Sequence, residues 1–288
     1  MSFRTVVITK RSKLEYKLGF LVCRGEETKK VFVSEISNLI VESTTVSMTT
    51  ALLAELIRNK VNVIFCDEKH NPFSQLVSLQ GRYNSSGKIK KQIEWSNAAK
   101  ELVWTKIVKF KILNQSKFLY DLGLEQYKTL ENYVEELQSG DKTNREGHAA
   151  KVYFDALFGI DFKRGDKTFI NSALNYGYSL LLSAFNREIV ALGYNTQLGI
   201  NHKNEFNFFN LSCDLVEPFR PIVDRMVFSI ESDELNSDVK HELCELFSKA
   251  IKINGVTVTL KDGIAIYLKG VFSALETEDV SAVINYEL

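Results

Sequence analysis

GRYNSSGKIKK, residues 81–91, is where the sequence pattern of this chain changes. Before this stretch, short β-branched runs are separated by polar turns, whereas after it apolar residues recur at helical spacing. Glycine, asparagine and serine cluster within it, as is typical of a linker between two domains. Four basic residues make it either a solvated hinge or a phosphate contact, namely Arg82, Lys88, Lys90 and Lys91.

Residues 1–80 are predicted to form a β-rich domain. Four short runs with β-branched or aromatic residues predict strands: RTVVITK, LGFLVC, KKVFVSEI and NLIVES. SMTTALLAELIRNK predicts one short helix, because its leucines recur on one face and Ser47 can cap it. VNVIFCDE then predicts a buried strand that closes the domain.

Residues 92–288 are predicted to form a larger helical domain. Its first long helix carries lysines beside an apolar stripe, so Lys106, Lys109 and Lys111 are either a solvated face or weak DNA contacts. Further helices are predicted at YKTLENYVEELQ, GHAAKVYFDALF, FINSALNYGYSLLLSAFNREIVAL and DVKHELCELFSKAI. The fold class is α+β, a small N-terminal β-rich domain followed by a larger all-helical C-terminal domain, in which NGVTVTLKDGIAIYL also offers two short strands.

The composition is that of a globular protein without a dominant charge. The 288 residues include 36 Lys and Arg against 36 Asp and Glu, so basic residues must be segregated on one face if a nucleic acid is the partner. No apolar run approaches the ~18 residues of a membrane span, and no signal peptide is evident, so a cytoplasmic protein is expected. The four cysteines lack metal-binding spacing and are expected to be small buried residues.

Three common functional motifs are not matched by this sequence. GIDFKRGDKT has neither the glycine spacing nor the lysine position of a phosphate-binding loop. HELCE lacks the second histidine of a zinc-protease helix. The absence of a G-x-S-x-G turn removes support for acyl-enzyme chemistry.

LSCDLVEPFRP, residues 211–221, places two carboxylates three residues apart in an apolar run. Asp214 and Glu217 would share a helix face, and Pro218 predicts a kink near Asp214. A kink there can open room for an ion. Alternatively, the acids occupy a first helical turn, where the helix dipole favours them.

Two further residues complete a candidate ion site. Glu146 follows Thr143 at capping-box spacing, so it either caps a helix or serves the site, and Gly147 beside it suits a close approach of backbone or phosphate. His202 lies in a polar stretch fifteen residues before Glu217, close enough in the chain to fold back beside it. Two carboxylates and one imidazole form a mixed oxygen and nitrogen site, which suits Mg²⁺ or Mn²⁺ chemistry better than a thiolate-rich zinc site does.

Four stretches occur in an order that resembles the CRISPR adaptation integrases, the endonuclease-like enzymes that insert new spacers into a repeat array. They are REGHAAKVYF, NYGYSLLLSAFNREIVALGY, GINH and DLVEPFRPIVDRMV. KIVKFKILNQ also fits the first long helix of that family. The resemblance spans the chain to about residue 230, and its form is similar to the integrase of type II-A systems.

The resemblance implies a metal-dependent joining of DNA. Mg²⁺ or Mn²⁺ would be held by Glu146, His202 and Glu217, where the family often has aspartate at the last position. Asp214 would lie behind these ligands or near the DNA. The β domain would form a homodimer, and two dimers would assemble with a small ferredoxin-like CRISPR adaptation protein on double-stranded fragments and the repeat array.

DNA contacts are expected at basic residues close to the ligands in sequence, Arg145, Lys203, Arg220 and Arg225. The NYGY stretch adds Asn175 and Tyr176, with core packing as the alternative for this stretch. Two other functions stay open: a standalone metal-dependent DNA endonuclease, and a non-catalytic DNA-binding scaffold.

Overall fold

The computed structural model describes residues 4–78 and 84–287. The chain divides into two compact units, Met1–Gln80 and Gly81–Leu288. Of the predicted linker, residues 81–83 lie outside the described residues. The prediction of a linker is wrong from Ser85 onward, because Ser85–Glu94 forms a helix whose lysines pair with Glu276 of the same unit, Lys88 at 2.7 Å and Lys91 at 3.5 Å.

The first unit contains two small sheets and one helix within residues 4–78. Its elements are β1 (Arg4–Ile8), β2 (Lys13–Lys17), β3 (Phe20–Arg24), β4 (Thr28–Phe32), β5 (Ile36–Val41), β6 (Ser47–Met48), α1 (Thr50–Arg58), β7 (Asn62–Cys66) and β8 (Pro72–Leu76).

The strand order of one sheet is β1-β5-β7-β8, and that of the other is β4-β3-β2-β6. In the first sheet β1, β5 and β7 are parallel and β8 is antiparallel to β7. β5 is buried along its whole length because it is a central strand, covered on both faces. The core of the unit joins apolar residues of both sheets and α1, among them Leu14, Leu39 and Leu52.

The strands and the helix predicted from the sequence are present in this unit. β2, β6 and β8 were not predicted. KLEYK and PFSQL lack a β-branched run, and Ser47–Met48 lies in the stretch predicted as a helix. The predicted cap of α1 is wrong. Ser47 lies in β6, and the Thr49 hydroxyl accepts the hydrogen bond from the Leu52 amide.

The second unit contains nine helices and three short strands within residues 84–287. They are α2 (Ser85–Glu94), α3 (Asn97–Asp121), α4 (Tyr127–Glu135), α5 (Arg145–Phe158), α6 (Phe169–Ala191), α7 (Asn210–Leu215), α8 (Arg220–Ser229), α9 (Ser237–Cys244), β9 (Ala250–Ile253), β10 (Val256–Thr259), α10 (Leu260–Thr277) and β11 (Tyr286–Glu287). Short 3₁₀ turns precede α5 and α8.

α3 is the central helix of this unit. It packs against α4, α5, α8 and α10 and is buried on several faces, so its lysines do not all lie in solvent. The three strands form a separate small sheet in the order β10-β9-β11. GIAIYL is not the predicted strand but part of α10, whose buried residues recur at helical spacing after the cap at Thr259.

The predicted fold class is confirmed, an N-terminal unit of sheets followed by a mainly helical unit. In the small sheet of the second unit, β10 lies in the stretch where short strands were predicted, whereas β9 and β11 are additions to the prediction. Cys66 and Cys244 are buried, whereas Cys23 and Cys213 are half-buried. Within the described residues, no helix combines the length and apolarity that a membrane crossing requires.

Candidate active site

Lys111 of α3 lies at the centre of the candidate site. Its Nζ donates to Oε1 of Glu146 at 2.6 Å and to Oε2 of Glu217 at 2.5 Å. Lys111 and Glu217 are both buried. Because the two bonds end on one nitrogen, α3 brings together two carboxylates that are far apart in sequence. The prediction of a solvated face or a DNA contact is therefore wrong for Lys111.

Glu146 lies in the first turn of α5, but it does not cap that helix. The Asp141 carboxylate accepts from the amides of Arg145 at 2.7 Å and Glu146 at 3.1 Å. The capping box expected of Thr143 and Glu146 is therefore wrong, and the Glu146 side chain reaches Lys111 instead. A Cβ added at Gly147 would lie 2.7 Å from the side chain of Asn144. The group that comes close to this glycine is therefore a side chain of the same chain.

Glu217 lies at a break between two helices. α7 ends at Leu215, a 3₁₀ turn covers Glu217–Phe219, and α8 begins at Arg220. Pro218 has no amide hydrogen for a continuous helix, so the predicted kink lies here. Oε1 of Glu217 faces Nε of Arg220 at 3.0 Å, so this one carboxylate lies between two cations. Asp214 lies near the end of α7 rather than in a first turn, which removes the helix-dipole alternative for it.

His202 is held by Asp214 rather than by the glutamates. Its Nδ1 lies 2.5 Å from Oδ1 of Asp214. The amides of Ile200, Asn201 and His202 also donate to this carboxylate, at 2.6, 3.0 and 3.1 Å. Asp214 is fully buried, and these donors compensate for its lost hydration. The loop comes so close that a Cβ at Gly199 would meet Oδ2 at 2.9 Å.

The acidic and basic groups of the site stabilise one another in their charged forms. Burial raises the pKa of Glu217, but Lys111 and Arg220 outweigh it, so the pKa lies below its ordinary value. Burial lowers the pKa of Lys111, but Glu217 and Glu146 outweigh it and raise the pKa. Glu217 is therefore an anion and Lys111 a cation at neutral pH. The hydrogen bond to Asp214 raises the pKa of His202 against the effect of burial, and the charges of the two glutamates add to this rise.

The predicted metal ligands are neighbours, but they do not form a ready-made metal site. Among the described residues, no three His, Cys, Asp or Glu side chains are grouped closely enough to hold a metal ion. Glu146 and Glu217 meet on the ammonium of Lys111, and His202 meets Asp214.

The donor chemistry nevertheless fits a divalent cation. Glu146 and Glu217 already enclose one positive charge between oxygen ligands, which Mg²⁺ and Mn²⁺ prefer. A carboxylate on Nδ1 is the usual support of a metal-binding histidine, and it leaves Nε2 of His202 as the ring nitrogen for a ligand. Asp214 is the group that orients the imidazole.

An open cavity of about 450 Å³ adjoins His202. Lys100 and Lys203 contribute positive charge to its lining. Two phenylalanines of the same loop are strongly exposed, Phe206 at 89% and Phe208 at 66%. Of these two rings only Phe208 lines the cavity, where it adjoins the two lysines and Glu205.

The four basic residues expected to contact DNA have different surroundings. Lys203 is exposed beside the cavity. Arg220 pairs with Glu217 and lies 4.7 Å from the ring centre of Tyr178. Arg145 pairs with Glu136 at 2.7 Å.

Arg225 pairs with Asp121 at 2.8 Å and covers the ring of Phe118. These contacts give Arg225 a structural role at the end of α3.

The NYGY stretch of α6 is mainly structural. Tyr176 is only 2% exposed, so its prediction as a DNA contact is wrong: the ring is part of the core. Asn175 is exposed and accepts a hydrogen bond from Arg164 at 2.8 Å. The Tyr178 hydroxyl donates to Asp224, as does that of Tyr153 at 3.0 Å.

Sequence reasoning missed Lys111 and Asp224 as parts of this region. Lys111 follows the buried Ile107 by four residues, so helical spacing alone could have placed it on the buried face. Asp224 is buried with two tyrosine hydroxyls, and burial raises its pKa to about 6 although both hydroxyl contacts oppose the rise. Nothing in the local sequence around Asp224 indicates those distant partners.

The sequence of this chain matches a known protein family. Residues 5–249 match the family model described as CRISPR associated protein Cas1. The chain is 32% identical over 260 residues to the CRISPR-associated endonuclease Cas1 of Neisseria meningitidis serogroup C (strain 8013). The aligned region covers 88% of this chain and 86% of the relative.

Solved structures with the same fold have lower sequence identity. A CAS1 protein from Thermotoga maritima has a TM-score of 0.78 at 20% identity, covering 96% of this chain and 98% of that chain. A casposase bound to integration product has a TM-score of 0.72 at 20% identity, covering 97% and 92%. A Cas6-RT-Cas1--Cas2 complex has a TM-score of 0.73 at 18% identity; the match covers 97% of this chain and 36% of that longer chain.

Proposed function

The chain belongs to the Cas1 family of CRISPR associated proteins, and on that premise we propose that it is a divalent-metal-dependent DNA integrase. It would join the 3′-hydroxyl ends of captured double-stranded fragments to a repeat array. The observation that carries this proposal is the pair Glu146 and Glu217 around one cationic position, beside a histidine oriented by Asp214.

Glu146, Glu217 and Nε2 of His202 are the groups that would hold Mg²⁺ or Mn²⁺. The ion, when bound, supplies Lewis-acid stabilisation of the phosphate charge that develops during displacement. Asp214 fixes the ring orientation and leaves Nε2 for this task. Arg220, beside Glu217, and Lys203, in the cavity next to His202, would bind phosphate oxygens and align the DNA.

The reaction exchanges one phosphodiester for another. The 3′-oxygen of the fragment forms a bond to a phosphorus at the repeat boundary, and the bond from that phosphorus to the 3′-oxygen of the repeat strand breaks. The attacking hydroxyl loses a proton and the departing oxygen gains one, so no cofactor is consumed. Much of the rate would come from holding the two DNA segments in line.

The same site also suits hydrolysis, in which water replaces the 3′-hydroxyl. The Neisseria relative is named an endonuclease, which favours this as the second candidate function. A homodimer through the β-rich unit and a small ferredoxin-like adaptation protein complete the proposal. They would place two sites at the two ends of one fragment. The solved neighbour titled Cas6-RT-Cas1--Cas2 complex supports an assembly with a further Cas protein.

A joining assay separates the candidate functions. A fluorescent duplex with 3′-hydroxyl ends is incubated with a repeat-bearing plasmid, Mg²⁺ or Mn²⁺, and the chain with its small partner protein. Label transferred to the plasmid supports integration, whereas cut DNA without joined label supports the endonuclease. If neither joined nor cut DNA forms, the result supports the non-catalytic scaffold and overturns the enzymatic proposal.

Two matched controls make the assay specific. A duplex that ends in a 3′-deoxy nucleotide lacks the attacking oxygen and must not join. Glu146→Gln keeps the size of the side chain but removes the charge, so it must abolish joining. If Glu146→Gln joins DNA as well as the unchanged protein does, the site assignment is wrong.

A further inference from the structure

Lys111 occupies the position between the two carboxylates that the proposed function gives to a metal ion. Its Nζ lies 2.6 Å from Glu146 and 2.5 Å from Glu217. Both contacts are short charge-assisted hydrogen bonds. The lysine side chain is 9% exposed and that of Glu217 is 6% exposed, so water can replace little of either contact.

An ammonium and a divalent cation cannot share these oxygens without conflict. A divalent cation held by Glu146 and Glu217 would take the carboxylate lone pairs that Lys111 now uses. Two cations between the same pair of carboxylates also repel each other at close range and low local dielectric. Arg220 already neutralises the other oxygen of Glu217, so the pair has little negative charge to spare.

On the basis of the proposed function, we infer that Lys111 is an internal counter-cation that competes with the divalent metal for Glu146 and Glu217. In the metal-free protein the ammonium holds the two carboxylates together. The ammonium must leave them when the metal binds, and its flexible four-carbon stem allows that movement. Lys111 is thus a positioning residue that sets the affinity of the site for metal.

Substitution by methionine tests the competition, since this unbranched side chain keeps most of the length of lysine without its charge. Mn²⁺ affinity is measured by calorimetry, without DNA, on the unchanged full chain, Lys111→Met and Lys109→Met. Lys109 is an exposed lysine of the same helix, so its variant controls for net charge. Lys111→Met is expected to bind Mn²⁺ at least about tenfold more tightly, whereas Lys109→Met is expected to bind as the unchanged chain does.

Equal or weaker binding by Lys111→Met overturns the competition. Glu146→Gln shows whether the measured site is the intended one, because it must lose the binding. If the unchanged chain and Lys111→Met both lack a Glu146-dependent Mn²⁺ site, the proposed metal-dependent function fails as well. If such a site exists but Lys111→Met does not tighten it, only the role of Lys111 fails.

A second measurement uses the unchanged protein, so it tests the competition even if Lys111→Met does not fold. Reductive methylation followed by mass spectrometry compares the reactivity of Lys111 and Lys109 with and without Mn²⁺. In the metal-free protein Lys111 is expected to be protected by its two carboxylates. Mn²⁺ is expected to raise the reactivity of Lys111 severalfold and leave that of Lys109 unchanged; equal protection with and without Mn²⁺ overturns the inference.

Discussion

His202 and Asp214 are joined twice, because one carboxylate contacts both the imidazole Nδ1 at 2.5 Å and the backbone amide of His202 at 3.1 Å. The first contact fixes the ring, and the second fixes the loop that carries it. Asp214 is on α7, one turn before Glu217, so the same short segment positions two of the three proposed metal-binding groups.

Asp214→Asn is expected to weaken joining roughly 10–100-fold, the usual effect of losing the group behind a metal-binding histidine. It should also lower the pKa of His202, because the hydrogen bond to the carboxylate is the main cause of its raised value. Proton NMR titration of the imidazoles measures this change, and the chain has only four histidines to resolve. His202→Gln identifies the resonance.

A purely structural role for Asp214 would give a different pattern. The amide side chain of Asp214→Asn offers only one acceptor oxygen to the three backbone donors, so a stability loss of about 1–3 kcal/mol is expected in either case. Only the orienting role predicts a lowered pKa for His202. An unchanged titration of His202 in a folded Asp214→Asn protein would contradict it.

The stability of the fold should depend on pH through Asp224. Burial raises its pKa from 3.8 to about 6 in the folded protein. The folded state therefore holds the proton more strongly than the unfolded state does, and its stability rises as pH falls from about 7 to 4. The full effect is on the order of 3 kcal/mol, present below the unfolded pKa and lost as pH rises through about 6.

Asp224→Asn isolates this contribution, since the amide can still bond the hydroxyls of Tyr153 and Tyr178 without titrating. Urea unfolding at pH 4.5, 5.5, 6.5 and 7.5 is expected to show a steeper pH dependence for the unchanged protein than for the variant. His202 titrates in both proteins and cancels in the difference. Parallel stability curves would show that Asp224 does not ionise within this range.

The sequence predicts best where local patterns decide the structure. Short β-branched runs place most strands of the first unit, and apolar spacing places α3, α5 and α6, because burial of one face requires those patterns. Pro218 predicts the break at Glu217 because a proline in the interior of a helix removes a backbone hydrogen bond. Such features need no knowledge of distant residues.

Contacts between distant segments could not be predicted in this way. Lys111 and Glu217 are 106 residues apart, and only the packing of α3 against the 3₁₀ turn brings them together. Arg225 was expected at DNA because it lies near the proposed ligands in sequence, and Tyr176 because its stretch resembles that of the family. The Tyr176 ring is buried in the core, and Arg225 pairs with Asp121. The ion site itself came from a resemblance to a family, with the residue types alone leaving it open.

Substitutions of Lys203 and Arg225 should affect DNA binding differently. Lys203→Ala is expected to weaken binding of a duplex at all sequences and to reduce the slope of log affinity against log salt by about one, as for one lost phosphate contact. Fluorescence anisotropy between 50 and ~300 mM salt measures it. Arg225→Ala is expected to keep the slope and lower thermal stability, because its guanidinium serves Asp121 and Phe118. An unchanged slope for Lys203→Ala would remove Lys203 from the DNA surface.

Two helical glycines should respond to alanine with opposite signs. Alanine favours a helix over glycine by about 1 kcal/mol where space allows. At Gly87 of α2 a Cβ would meet nothing within 4 Å, so Gly87→Ala is expected to raise stability by roughly 0.5–1 kcal/mol. At Gly177 of α6 a Cβ would lie 2.5 Å from Cγ1 of Val223 in α8, so overpacking of about 1–3 kcal/mol outweighs the helix gain.

The close approach of α6 to α8 at Gly177 can be tested with a double-mutant cycle. Val223→Ala removes the methyl group that the new Cβ would strike, so Gly177→Ala should cost less in that background than in the unchanged protein. A coupling of about 0.5–3 kcal/mol is expected for two residues in direct contact. Urea unfolding of the four proteins gives the value; strict additivity would mean that α6 and α8 shift apart freely, and that Gly177 does not set their separation.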